Sequence, residues 1–108
     1  MAATDPREFP ERFREKGEAT ARAQGQAELL DHKSRVVFAE LVNRSSASSV
    51  AKAENEARCR PEYIEAKEAA IDAQTQANVL RAQLEAMRVS WETWRSMQAN
   101  KRAEMQIT

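Results

Sequence analysis

Four arginines recur at intervals of seven residues in the last third of this chain, at Arg81, Arg88, Arg95 and Arg102. Because an α-helix repeats about every 3.6 residues, side chains seven apart lie along one face. Lys101 adds to this arginine stripe, and residues 81–102 hold five basic and two acidic residues, a net charge of +3. Cations in such a row can bind nucleic-acid phosphates. The stripe is therefore the first candidate binding surface.

The competing interpretation is that these arginines only keep a helix soluble. Glu85 and Glu92 lie three or four residues from their nearest arginines, where an ion pair contributes only about 0.2–0.5 kcal/mol. A parallel homodimer would place neutral residues opposite the stripe, so it would offer no carboxylates to neutralise it. Those facing positions are Gln76, Gln83, Ser90 and Met97. We take this as favouring phosphate binding.

Two tryptophans, Trp91 and Trp94, lie among the arginines. Aromatic rings between basic residues can stack on unpaired bases. Both also fall in a hydrophobic helical repeat, which is typical of buried side chains, so we assign them to an oligomer interface. Arg58 and Arg60 form a second, smaller basic site, for which a solvated turn is the alternative interpretation.

Residue types suited to catalysis or metal binding are scarce. The chain has one cysteine and one histidine, and Asp31, His32 and Lys33 are most simply surface residues. With 17 basic and 17 acidic residues, the whole chain has no net charge that would draw it to an anionic partner. We expect no enzymatic activity, no cofactor, no metal and no small-molecule substrate.

The arginine stripe must be positioned by a long helix. Apolar or small residues follow one another at steps of three and four, and no glycine or proline occurs from Glu62 to Thr108. This a/d pattern keeps one seam of a helix against a partner helix. The seam comprises Tyr63, Ala66, Ala70, Ala73, Ala77, Leu80, Leu84, Met87, Trp91 and Trp94.

Pro61 marks the start of this helix, because proline is favoured at the first helical position and disfavours helix in the residue before it. We predict a helix over about 61–106, a turn at about 59–61 and an earlier helix over about 18–58. Ser45, Ser46, Ser48 and Ser49 could cap a new helix, but we favour continuity.

The predicted fold is all-α, a long antiparallel helical hairpin resembling a coiled coil. Residues 1–17, with two prolines and a glycine, are predicted to be a flexible arm, either disordered or docking Phe9 and Phe13 on a neighbour. The larger seam side chains are expected to join copies into a homo-oligomer. They are Leu80, Leu84, Met87, Trp91 and Trp94.

No segment resembles a signal peptide or a transmembrane span, so we expect a cytoplasmic protein that does not enter a membrane.

Three segments resemble small phage recombination mediators of the UvsY type. They are Ser49–Arg58, Arg60–Tyr63 and Trp94–Met105. The resemblance implies an all-helical homo-oligomer that binds single-stranded DNA and helps a recombinase displace single-strand-binding protein in the host cytoplasm. It places DNA contacts at Lys52, Arg58 and Arg60. The alternative is a structural or adaptor coiled coil, such as a virion scaffold or an inhibitor of a host protein, that acts only through protein contacts.

Overall fold

The structure is a computed structural model that describes residues 5–107. Within that range the chain forms three helices and no strand: α1 (Phe9–Arg44), α2 (Val50–Arg58) and α3 (Pro61–Ile107). The all-helical prediction is confirmed. None of these helices combines the length and apolar character that crossing a membrane would require.

The chain divides into two compact units. The central unit is Ala21–Asn78, and the terminal unit joins Met1–Thr20 to Val79–Thr108, of which residues 5–20 and 79–107 are described. Each unit contains a stretch of α1 and a stretch of α3.

Helix α3 begins at Pro61, as predicted, and ends at Ile107. Each seam position from Tyr63 to Trp91 is buried or half-buried, whereas Trp94 remains 39% exposed. The repeat therefore does mark the packed face of this helix.

Helix α1 begins earlier than predicted, and residues 9–17 are helical rather than part of an arm. The backbone carbonyl of Asp5 accepts hydrogen bonds from the amides of Glu8 and Phe9, which satisfies donors at the helix start. Pro10 falls in the first turn, where its missing N–H leaves no hydrogen bond unmade. The prediction for Met1–Thr4 lies outside the described residues.

A second heptad seam runs along α1, and polar members conceal it in the sequence. Lys16, Thr20 and Ser34 occupy seam positions. The hydroxyl groups of Thr20 and Ser34 donate to the carbonyls of Lys16 and Asp31, each at 2.7 Å. Their burial therefore leaves no unpaired hydroxyl. The seam residues are Phe9, Phe13, Lys16, Thr20, Ala23, Ala27, Leu30, Ser34, Val37 and Leu41.

The serine segment breaks the first helix, so the prediction of continuity is wrong. Helix α1 ends at Arg44, and Ser49 is the N-cap of α2, with its hydroxyl accepting a 3.2 Å hydrogen bond from the Lys52 amide. Ser45 donates a 2.8 Å hydrogen bond to Glu56 across the break. Serine suits the N-cap position because its hydroxyl accepts a hydrogen bond from a backbone amide that has no acceptor within the helix.

The chain reverses direction at this segment and not at residues 59–61. Phe38 on α1 contacts Tyr63 on α3, with ring centroids 5.3 Å apart. The Arg58 guanidinium on α2 lies 5.5 Å from the centroid of the Phe38 ring. Both sides of Pro61 therefore pack against one residue of α1. Pro61 lacks the N–H that would continue helical bonding, so it interrupts the helix without turning the chain back.

The core of the central unit consists mainly of small side chains. Five alanines are buried, and Leu41 is the one larger apolar side chain that reaches the same degree of burial among the described residues. Gln74 donates to Gln24 at 3.5 Å, while Tyr63 meets Phe38, so α3 runs antiparallel to α1 in this unit. Small residues let the two backbones approach closely. The buried alanines are Ala27, Ala53, Ala57, Ala70 and Ala77.

Candidate nucleic-acid interface

The terminal unit pairs the first turns of α1 with the later part of α3. Phe9 stacks on Trp91, and Lys16 donates a 3.0 Å hydrogen bond from its Nζ to the Oε1 of Gln83. As residue numbers rise along α1, the numbers of the residues they contact on α3 fall. The two stretches are antiparallel.

Neighbouring aromatic rings form a continuous series in this unit, from Phe13 through Phe9 and Trp91 to Trp94. Their centroids are separated by 5.4, 4.3 and 5.1 Å, with interplanar angles of 25°, 5° and 20°. Each such contact contributes about 0.5–1.5 kcal/mol beyond the burial of area. The series holds the start of α1 against α3.

This packing changes the expectation for the predicted oligomer interface. Leu80, Leu84, Met87 and Trp91 are half-buried within a single chain. The physical reason is that α1 starts at Phe9, so its first turns provide cover that we had expected from another subunit. Whether the chain also assembles into an oligomer stays a prediction.

Trp94 ends the aromatic series and is the more open of the two indoles. One side of its ring stacks on Trp91. Trp94 also lines an open depression of about 820 Å³ together with Arg95, Gln98 and Arg102. Part of the indole is thus accessible beside two guanidinium groups.

Arg88 makes its ionic contacts within its own helix. It donates hydrogen bonds to Glu85, one of them 3.1 Å long, and a 2.6 Å hydrogen bond to Glu92. The hydrogen bond to Glu85, followed by that to Glu92, raises the pKa of Arg88 above its ordinary value. The hydrogen bond from Arg88 lowers the pKa of Glu85 in turn. The charge of Arg88 is therefore offset before any ligand arrives.

The cations beyond Arg88 differ from it. Arg95, Lys101 and Arg102 are exposed, and none of the three has an ion pair or hydrogen bond with the residues that the structure describes. The helix around them is also open, since every residue from 99 to 107 is exposed. These three charges are available to an anionic partner. Arg81, the first member of the arginine stripe, is exposed as well.

Arg58 and Arg60 belong to the central unit, so the structure does not bring them into this compact unit. Arg58 forms a 3.7 Å ion pair with Glu54, and Arg60 forms a 3.4 Å ion pair with Glu62. Their neighbours thus offset the charge that the sequence pattern assigned to DNA.

No family model, curated protein or solved structure matches this chain. The chemistry of the terminal unit therefore follows from its own side chains. Within residues 5–107, no cluster of three or more His, Cys, Asp or Glu side chains is placed to hold a metal ion.

Sequence reasoning missed Gln98, and it considered Phe9 and Phe13 only as rings of an arm that could dock on a neighbour. The spacing of Phe9 and Phe13 extends the heptad of α1, but the nearby Pro10 and Gly17 suggested an arm instead. Gln98 is a polar residue that continues the seam of α3. Its spacing of seven residues from Trp91 could have identified it in the sequence.

Proposed function

We propose that this protein is an accessory factor of DNA recombination that binds single-stranded DNA as a homo-oligomer and assists the loading of a recombinase. The observation that carries the binding step is the set of exposed, unpaired cations Arg95, Lys101 and Arg102 beside the open ring of Trp94. Binding is electrostatic and stoichiometric, without a cofactor or chemical turnover.

The paired and unpaired arginines have different roles in this proposal. Arg95, Lys101 and Arg102 contact phosphates, whereas Arg88 chiefly stabilises α3 through Glu85 and Glu92. Arg58, Arg60 and Arg81 contribute at most secondary contacts. Three phosphate contacts on a single strand give a log–log salt slope of about −2 for each protein copy.

The role in recombination rests on the resemblance of three segments to UvsY-type mediators. Such a factor must hold single-stranded DNA against a competing binding protein, yet release it to a recombinase. Modest contacts repeated over several copies meet both needs, because avidity multiplies weak binding while each contact remains reversible. Oligomerisation is therefore part of the proposal.

A salt titration with a fluorescent deoxythymidine oligonucleotide tests the binding step. We expect measurable affinity at low salt and a steep decline as salt rises. Arg95→Glu combined with Arg102→Glu should abolish binding. Lys33→Glu combined with Lys67→Glu is the matched control, because it makes the same change in charge at exposed positions of the central unit. Absence of binding by the unaltered protein at low salt would refute the proposal.

The rival function is that of a coiled-coil adaptor or scaffold that acts only through protein contacts. The observation in its favour is that Arg88 and Trp91, both candidates for DNA contact, are engaged within the chain. Failure to bind DNA, together with a defined oligomer in a mass measurement, would support this rival. A stable monomer would contradict the oligomeric part of both functions.

A further inference from the structure

We infer that Trp94 and Gln98 form a subsite for one unpaired nucleobase, with Arg102 and Arg95 holding the adjoining phosphates. This inference rests on the proposed function and names the part of the strand that the terminal unit takes. It assigns a role to the one aromatic ring of the series that is both stacked and open.

The stacking surface is the side of Trp94 that does not face Trp91. The indole is 39% exposed, and its contact with Trp91 at 5.1 Å and 20° holds the ring in place. A base that stacks on Trp94 extends the aromatic series by one member. Because a base in a duplex is already stacked on both sides, the subsite selects single strands.

Trp91 also borders the depression, but it already has a stacked ring contact with each of two neighbours, Phe9 and Trp94. The rings of Phe9 and Trp91 are nearly parallel, and their centroids lie 4.3 Å apart. Trp91 therefore supports Trp94 and does not itself receive a base.

Gln98 supplies polar groups beside this ring. Its side chain is half-buried, lines the same depression as Trp94, and has no hydrogen-bond partner among residues 5–107. It follows Trp94 by four residues, so both lie on one face of α3. A carboxamide offers donors and an acceptor, which match the edge of a base.

The charges around the depression favour a nucleic acid over a second copy of this chain. Arg95 and Arg102 line it, and its acidic member, Glu92, is bonded to Arg88 at 2.6 Å. A second copy docking by the same surface would bring equal positive charge toward these guanidiniums, which is unfavourable. A strand brings phosphates together with its bases.

The test uses the full-length protein and two oligonucleotides of equal length, one of deoxythymidine and one of abasic deoxyribose phosphate. We expect the unaltered protein to bind the deoxythymidine strand roughly tenfold more tightly, since stacking is lost on the abasic strand. Trp94→Leu should remove this preference and leave the affinity for the abasic strand unchanged. Gln98→Leu should weaken binding to the deoxythymidine strand and leave the affinity for the abasic strand unchanged, because only a base can use the carboxamide.

Thr93→Leu is the matched control, because it adds an apolar side chain at an exposed neighbouring position outside the depression. Equal affinity of the unaltered protein for both strands would overturn the inference while leaving the proposed function intact. Failure of the unaltered protein to bind either strand would instead overturn the proposed function. A lower solution mass for Trp94→Leu, with an unchanged preference for bases, would show that a second copy covers the ring and would also overturn the inference.

Discussion

The central and terminal units use the same antiparallel pairing of helices but fill the interface with different side chains. In the central unit Ala27, Ala70 and Ala77 are buried, and Ala77 is 0% exposed. In the terminal unit Phe9, Phe13 and Trp91 meet instead, and all three remain half-buried. Close alanine packing holds two helices together and buries the side chains at their contact. Aromatic packing holds them while leaving ring area accessible.

Pairing with carboxylates separates particular arginines, and the terminal unit contains both kinds, since its Arg88 is paired. In the central unit Arg58 and Arg60 have carboxylate partners close by in sequence. In the terminal unit Arg95 and Arg102 have no such partner among the described residues. The count of basic residues therefore does not locate a binding surface, because the neighbouring acids decide which charges are available.

The strongest test of the comparison enlarges a buried alanine. Ala77→Leu should destabilise the protein by about 3 kcal/mol, because three added carbons force the closely packed helices of the central unit apart. Ala82→Leu on the same helix is the control, since Ala82 is exposed. Urea denaturation measures both. Equal stability of the two variants would contradict close packing at Ala77.

Removing an aromatic ring tests the terminal unit. Phe9→Ala should cost about 1.5 kcal/mol, less than a fully buried ring, because Phe9 is half-buried and loses its stacking on Trp91. Tryptophan emission should shift to longer wavelength as Trp91 becomes more exposed to solvent. Ile107→Ala, at a position 85% exposed, should change neither property. An unaltered emission spectrum for Phe9→Ala would show that the ring does not cover Trp91.

The start of α2 provides a smaller effect in the central unit. Ser49→Ala should lower stability by about 1 kcal/mol, because the Lys52 amide loses its acceptor. Ser46→Ala is the control, as its exposed side chain has no hydrogen bond within the described chain. Thermal unfolding distinguishes the two. A larger loss for Ser46→Ala would place the cap elsewhere.

The smallest effect concerns pH. Hydrogen bonding to Arg88 lowers the pKa of Glu85 in the folded protein below its ordinary value of 4.5. The resulting stability is complete above that ordinary pKa and is lost as the pH falls through the lower, folded value. Because both groups are exposed, the change is small and weakens in salt.

Glu85→Gln should therefore make helix content less sensitive to acid, as followed by circular dichroism. Glu65→Gln is the matched control, because it also removes one carboxylate at an exposed position of α3. If Glu65→Gln altered the acid response as much as Glu85→Gln, the Glu85–Arg88 contact would not be its source.

Sequence reasoning located α3 well and located the chain reversal poorly. Proline has a strong local effect, and the seam repeat is almost entirely apolar, so the start and packed face of α3 could be predicted. The serine segment was ambiguous, since serine both caps helices and tolerates them. The decision depended on Phe38, whose contacts with Arg58 and Tyr63 keep both sides of Pro61 beside α1.

The candidate interface was predictable in part. The spacing of the arginines placed them on one face of a helix, but it could not separate Arg88 from Arg95. Both have a glutamate three residues before them in sequence, at Glu85 and Glu92. In the folded chain Arg88 bonds to both glutamates, which leaves Arg95 without one.

By itself the sequence determined that the chain is helical, where α3 starts, and which of its faces is packed, because these depend on local backbone preferences and on a short apolar period. Only the tertiary structure decided that Phe9 stacks on Trp91, that the chain reverses at residues 45–49, and that Trp94 stays 39% exposed. Those outcomes depend on which distant residues become neighbours. Because Lys16 and Thr20 are polar, the sequence pattern does not identify them as part of the packed face of α1, although both make hydrogen bonds there.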